Sequence, residues 1–509
     1  MAILTTVASP DRQAFGARRY LPVWTWKAAA LGALAIWLFV VGTHHEPWLD
    51  ESQAWLIARD SSLSQLLVER VRYEGTPGLW HLLLWLCIGL GLPFAGLYLV
   101  SVTCALVGAA LLLWCAPFPA PLRALLVASY FGAYQYAIVA RSYALDLVLL
   151  PALASLFACR TKRPIAYGIL VGLLANCNAH SFLLAGVLGV ELLLALVYAG
   201  RVRAGLAGLA FAALLGLTAL VVAWQSADNA FLDDPGMRAP PLTAGLLFLQ
   251  DALVDRWAFW SAQGPPLHGV SLSLLLMIPS ILLFRRAGTL PLMAALVVVL
   301  TGFSALTYSH PWHSGILFLV WIFGLWISWS ALGASPTLRN AVIAALAITG
   351  VAQATQAART GIWDIGHPYS GAAQAARTIA GWRAEHPHAP IAVAGFKAMA
   401  VQPYFSANIF ANYYGGAPQP SYIVWKRGEA WRPFAALAEA RAAVAGGYDL
   451  LLLSTNGIAP NDLMQFEQMA GGQGYRVIAA YPDSLEWKGY ALDDDKLILL
   501  ARESTAGKR

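Results

Sequence analysis

The segment Trp48-Leu49-Asp50-Glu51-Ser52-Gln53-Ala54-Trp55 places two adjacent carboxylates shortly after an apolar run over residues 23–42. Paired acids in that position can do acid–base chemistry on a substrate held at a membrane surface. They can equally serve a helix: Asp50 suits an N-cap for a helix over 51–59, and Glu51 suits the positive end of its dipole. Farther on, Tyr73-Glu74-Gly75-Thr76-Pro77-Gly78-Leu79-Trp80-His81 reads as a Gly/Pro turn before an apolar stretch. It offers Glu74 and His81 to the same cavity as Asp50. Ala140-Arg141-Ser142-Tyr143-Ala144-Leu145-Asp146 adds a cation, a phenol and a carboxylate. An acid inside an apolar run is costly and faces a cavity or a partner, so Arg141 and Asp146 either pair with each other or meet a ligand. His180 follows in Asn178-Ala179-His180, and His310 and His313 in the segment 307–313. Cations beside carboxylates suit an anionic lipid phosphate: the cations hold it and a carboxylate moves the proton. Zinc at His310 and His313 is a further option, although i, i+3 spacing in a Pro-containing loop is a weak metal signature.

These residues sit in an apolar chain. Of 509 residues, 59% are hydrophobic and only 12% charged, where soluble domains carry about 25%. The mean hydropathy of +0.60 agrees. The net charge of +6 is spread in short basic clusters between apolar runs, which excludes a nucleic-acid partner. The five cysteines, at 87, 104, 115, 159 and 177, lie in apolar stretches with no CxxC spacing and read as packing residues. Most of the twenty tryptophans fit the membrane interface.

Apolar runs near 23–42, 95–115, 122–139, 145–159, 164–179, 181–200, 205–223, 270–284, 289–306, 313–332 and 338–356 approach the roughly 20 residues needed to span a bilayer. The first follows Arg12, Arg18, Arg19 and Lys27, is longer than a signal-peptide core and lacks a small-residue cleavage site, so it reads as a retained helix. The run 77–91 is ambiguous, and charge decides it. The basic connections Arg160–Arg163, Arg201–Arg203 and Arg285–Arg286, with Arg123 and Arg339, all fall inside only if 77–91 does not fully span. The expected topology is therefore about eleven spans, an interfacial helix at 77–91, and an external C-terminus. It puts residues 43–94, Arg141, 178–180, 225–269 and 307–313 on the outside. The 225–269 loop carries Asp228, Asp233, Asp234, Asp251 and Asp255.

After about residue 360 the apolar runs shorten to strand length: 391–396, 421–425, 448–454, 475–481 and 496–501. Alanine-rich helical patterns over 371–385 and 433–446 alternate with them. This predicts a soluble α/β domain over 361–509 with a largely parallel sheet, behind a membrane domain over 1–360. It has no Gly-rich phosphate loop.

The Asp50-Glu51 pair after the first helix, the Glu74–His81 turn, and the Ala140–Asp146 segment, followed by an external α/β domain, resemble the GT-C superfamily of membrane glycosyltransferases. The nearest likeness is to bacterial protein-mannosyltransferase-like and aminoarabinose-transferase-like enzymes. The resemblance implies an inverting transfer of a sugar from a polyprenyl-phosphate donor to a hydroxyl of a lipid, glycan or protein, at the outer face of a bacterial inner membrane. It implies Asp50 as general base. Binding residues would then be Glu51, Glu74, His81, Arg141, Tyr143, Asp146, His180, His310 and His313, with Arg141 foremost on the phosphate. Some family members carry Arg-Tyr or Lys near the last outer loop, where this chain has Pro311-Trp312-His313. No metal ligand is assigned, and the one cofactor the site admits is a divalent cation. Two rivals compete: a polymerase or ligase of envelope glycans, which calls for several arginines in a large outer loop where 225–269 has Arg238 and Arg256, and a transporter or flippase, for which internal repeats are expected and none is visible.

Overall fold

The computed structural model describes residues 23–224, 226–230, 241–253, 267–307, 310–484, 486–487, 490–491 and 495–503. Asp233, Asp234 and Asp255 of the long outer loop lie outside the described residues. The chain is a helical membrane protein with a small C-terminal sheet. In chain order the membrane part begins with α1 (Val23–His44), α2 (Leu49–Arg59), α3 (Leu63–Gln65), α4 (Val71–Glu74), α5 (Leu79–Gly89), α6 (Tyr98–Cys115) and α7 (Ala120–Val127). It continues with α8 (Ala144–Leu156), α9 (Pro164–Ala175), α10 (Ala179–Tyr198), α11 (Val202–Ala223), α12 (Pro241–Ala252), α13 (Leu267–Ala287), α14 (Leu290–Leu306), α15 (Ser314–Ser328) and α16 (Pro336–Gly366).

Among the described residues, six helical stretches are long and apolar enough to cross a bilayer: Thr25–His44, Phe94–Cys115, α10, α11, Pro311–Gly333 and α16. Shorter apolar helices, among them α5 and α9, stand beside them. Their outer faces are apolar: α11 exposes Leu206, Leu214, Leu217 and Val221, whereas almost all of α15 is buried. Only a lipid environment accepts both patterns, because hydrocarbon outside satisfies leucine as well as a core does.

Backbone contact replaces the hydrophobic drive between helices. A Cβ added at Gly168 of α9 would stand 2.0 Å from the Gly208 carbonyl oxygen of α11, and one at Gly208 would stand 2.2 Å from the Pro164 carbonyl oxygen. Only glycine on both faces allows this approach.

The run 122–139, expected as one span, is broken. α7 stops at Val127, a π-turn covers Phe131–Gln135, and irregular chain leads to Arg141. Irregular backbone at this depth needs internal partners. Gln353 Oε1 accepts from Tyr130 N–H at 3.2 Å, and Glu51 accepts from Ala140 N–H. At the far end of α8, Arg160 donates to the carboxylate of Glu191 in α10 at 2.6 Å.

Beyond α16, which runs past residue 360 to Gly366, come α17 (Ala372–Glu385), β1 (Ile391–Ala394), α18 (Ala436–Ala445), β2 (Leu450–Ser454), α19 (Pro460–Gly472) and β3 (Tyr475–Pro482). A two-residue pair, β4 (Glu486–Trp487) and β5 (Tyr490–Ala491), precedes β6 (Lys496–Arg502). The main sheet has the order β1-β2-β6-β3. Alternate residues pack opposite faces, as strand geometry requires. Ile391, Val393, Leu450 and Leu452 meet α17 and the segment Phe396–Tyr404; Ala392, Ala394, Leu451 and Leu453 meet α18 and α19.

The largely parallel sheet expected from the sequence is corrected. β1–β2 is parallel, but β2–β6 and β3–β6 are antiparallel. A crossover helix, α18, joins β1 to β2, whereas the described residues between β3 and β6 hold only the β4–β5 pair, and a connection without a crossover gives antiparallel pairing. The expected strand 421–425 is also corrected. It forms no strand of the sheet, because its backbone is taken by a side chain of the membrane part: Ile423 N–H donates to Gln53 Oε1 at 2.8 Å, and Gln53 Nε2 donates to Ile423 O at 2.8 Å.

Candidate functional site

α2 is the shared wall between the two parts. Ala54, Trp55 and Ala58 pack on Trp80 and Leu84 of α5. On the C-terminal side, Arg59 donates to Phe405 O at 2.7 Å and to Ser421 Oγ at 2.6 Å. Asp50 and Glu51, in the first turn of the helix, are thereby fixed from both sides.

The expected N-cap role of Asp50 is corrected. The N-cap is Trp48, in extended conformation, and Glu51 Oε2 accepts the Trp48 N–H at 3.1 Å. Glu51 meets the helix's need for an acceptor, which leaves Asp50 available. Asp50 lines a cavity of about 270 Å³, together with Gln53, Tyr73, Glu74, His81, Arg141, Tyr143, His180 and Trp425. Of the ten sequence-derived candidates, six meet in this cavity: Asp50, Glu74, His81, Arg141, Tyr143 and His180. Glu51, Asp146, His310 and His313 do not line it.

The expected Arg141–Asp146 alternative is resolved against pairing. Arg141 Nη1 stands 2.7 Å from Asp50 Oδ2. Its guanidinium lies over three rings, at 5.9 Å from the centroid of Trp48, 5.6 Å from Tyr143 and 5.8 Å from Trp312, within cation–π range. Asp146 instead accepts from Asn178 Nδ2 at 2.8 Å and Ser181 Oγ at 2.6 Å. Asn178 Oδ1 in turn caps α10 through Ser181 N–H. The buried acid therefore anchors the turn that presents His180.

His180 packs at 4.6 Å from the ring of His313 and edge-on to Phe303. Its Nε2, and both ring nitrogens of His81, are buried without a hydrogen-bond partner among the described residues. His310 stacks on Trp312 with ring centroids 4.6 Å apart, and its N–H donates to His313 Nδ1. Among the described residues no group of three or more His, Cys, Asp or Glu side chains is arranged as metal ligands.

Beneath Asp50 lies a charge network that sequence reasoning missed. His45 Nε2 donates to Glu51 Oε2 at 3.1 Å and Nδ1 to Asp364 Oδ2 at 2.8 Å. Tyr134 O–H also donates to Asp364, at 3.0 Å. Burial disfavours the charged imidazole, but the carboxylates of Asp364 and Glu51 outweigh it and raise its pKa to about 10. His45 is thus an imidazolium between two carboxylates. Its signal in the sequence was weak: the second of two histidines, His44 and His45, just past the first apolar run, 319 residues from its partner Asp364.

At the other end of the cavity, Glu74 accepts from Gln53 Nε2 at 2.9 Å and from Trp425. Burial pushes its pKa up to about 7, against the hydrogen bond from Gln53. Tyr73 O–H donates to Asp228 at 3.1 Å, which ties this end to the one outer-loop acid described near it. Asp251 is buried in α12. Trp425, which sequence reasoning placed on a strand, closes the cavity from the C-terminal domain, stacked on Phe434.

No known family, characterised protein or solved structure matches this chain. The functional reading therefore rests on the residues and the geometry above. The cavity holds a carboxylate at Asp50, a cation beside three rings at Arg141, imidazoles at His81 and His180, and a carboxylate able to titrate near neutrality at Glu74. Such a set can bind a phosphate and remove a proton from a hydroxyl beside it.

Proposed function

We propose that this chain is a GT-C-like inverting glycosyltransferase that moves a sugar from a polyprenyl-phosphate donor to an acceptor hydroxyl. The reading puts about eleven spans in a bacterial inner membrane, with the cavity and the C-terminal domain on the periplasmic side. One observation carries it: Asp50 and Arg141 stand side by side, 2.7 Å apart, in the wall of one cavity of the helical bundle. In this mechanism Asp50 accepts the proton of the acceptor hydroxyl. The oxygen attacks the anomeric carbon from the face opposite the phosphate, and the C–O bond to the phosphate breaks. The electron pair stays on the phosphate, where Arg141 stabilises the growing charge. Glu74, His81 and Tyr143 line the space for the sugar and the acceptor.

The experiment is transfer. Purified protein in detergent is given labelled undecaprenyl-phosphate sugars, pentose and hexose, with an extract of envelope lipids, glycans and proteins. Movement of label to an extract component, abolished in Asp50→Asn, supports the reading. Label that stays on the lipid in wild type and variant alike sinks it. A labelled lipid that crosses vesicle bilayers without transfer would favour the flippase class.

A further inference from the structure

Asp50 occupies the place on Arg141 that a phosphate would need. The rings of Trp48, Tyr143 and Trp312 all have their centroids within 6 Å of the guanidinium carbon, so aromatic carbon surrounds that group. Its hydrogen-bonding edge does the binding, and Nη1 on that edge already meets Asp50 Oδ2. A phosphate takes arginine through two parallel N–H bonds, so it competes with the carboxylate for the same edge. The two partners differ in freedom. Arg141 is braced by the rings, and the backbone before it is held by Glu51 through Ala140 N–H. Asp50 is about one-third exposed at the cavity and has a rotatable side chain on a fixed helix.

We infer that the Asp50–Arg141 pair is a latch opened by the donor's phosphate, with Trp48, Tyr143 and Trp312 as positioning residues that keep the guanidinium in place while its anion is exchanged. This rests on the glycosyltransferase reading and adds an order of events to it. Without donor, the Asp50 carboxylate is held on Arg141, away from an acceptor hydroxyl. The arriving phosphodiester takes the Nη1 edge, and Asp50 swings free beside the anomeric carbon with its lone pairs available. It then accepts the proton of the acceptor hydroxyl as the new glycosidic bond forms. The bond from the anomeric carbon to the phosphate oxygen breaks, and its electron pair remains on the lipid phosphate. Once the proton has passed to water, the carboxylate again competes for Arg141 and helps expel the lipid phosphate. The acid most needed for transfer thus weakens lipid-phosphate binding at rest, and water is not activated in an empty site.

The test is binding, using undecaprenyl phosphate as probe and the full chain in detergent. Asp50→Asn and Asp50→Ala both remove the competing charge, so both are expected to bind the probe about 3- to 10-fold more tightly than wild type, the range for releasing a partly exposed ion pair. Two variants of different size separate this from a local folding effect. Arg141→Gln is expected to bind weakly, and Asp50→Asn combined with Arg141→Gln to gain nothing over Arg141→Gln alone. Equal or weaker binding by both Asp50 variants, with Arg141→Gln still impaired, overturns the latch and leaves the donor site standing. Wild type and Arg141→Gln alike in binding, or both without it, overturns the donor site itself and the latch with it.

Discussion

The carboxylate of Glu51 accepts the backbone N–H of Ala140 at 2.6 Å, across 89 residues of chain. The neighbour of Asp50 is thus bonded to the neighbour of Arg141. The two groups that pair in the cavity wall are set by a buried bond one residue behind each. Adjacent acids in the sequence hence do separate work: Asp50 faces the cavity, and Glu51 faces the protein.

That separation predicts unlike variants. Asp50→Asn is expected to fold and elute as wild type, since its side chain caps nothing, and to transfer sugar about 10²–10⁴-fold more slowly, as loss of a general base does. Glu51→Gln is expected to lose stability instead, because it leaves the buried His45 imidazolium one carboxylate short. Transfer rates and thermal unfolding of both proteins in detergent decide it. A stable Glu51→Gln beside an inactive but equally stable Asp50→Asn would remove the structural role assigned to Glu51.

His45→Gln is expected to destabilise the protein by about 3–5 kcal/mol, because it leaves two buried carboxylates, Glu51 and Asp364, uncompensated. Adding Asp364→Asn should recover part of the loss. The pH dependence has a definite sign. The folded pKa of about 10 lies above the ordinary 6.5, so the contribution is complete below pH 6.5 and is lost as pH rises through about 10. Unfolding temperatures between pH 6 and 10.5 should fall more steeply for wild type than for His45→Gln.

Glu74 has a linkage of the same sign at lower pH. Its folded pKa of about 7 lies above the ordinary 4.5, so the folded protein holds a proton that the unfolded chain has released. Stability is therefore expected to decline as pH rises from about 4.5 to about 7, and Glu74→Gln should flatten that decline. A pH–stability profile with the same slope in Glu74→Gln and wild type would count against it.

Gly168→Leu is expected to separate α9 from α11, since even a Cβ would meet the Gly208 carbonyl oxygen at 2.0 Å. The loss should be at least the roughly 1–3 kcal/mol of an overpacked core. Gly186→Ala, where a Cβ meets nothing within 4 Å, is the control and should be close to neutral. Yield of monodisperse protein and its unfolding temperature read both.

The sequence by itself determined the membrane class, because apolar runs of spanning length are a local property that needs no partner. It also determined the change of texture near residue 360, and the candidates Asp50, Glu74, His81, Arg141, Tyr143 and His180, each marked by polar chemistry at the edge of an apolar run. Only the tertiary structure decided who meets whom. Arg141 had a carboxylate five residues ahead in Asp146 and took Asp50 instead, because the broken chain after α7 turns it toward α2 while Asn178 and Ser181 claim Asp146. His45 and Asp364 lie at opposite ends of the membrane part, and no pattern in either neighbourhood joins them. Strand direction in the C-terminal sheet escaped for a similar reason. Alternating apolar residues fix which face is buried, but the direction of a strand depends on how the connection returns, and β6 comes back antiparallel beside β3 with no crossover helix among the described residues between them.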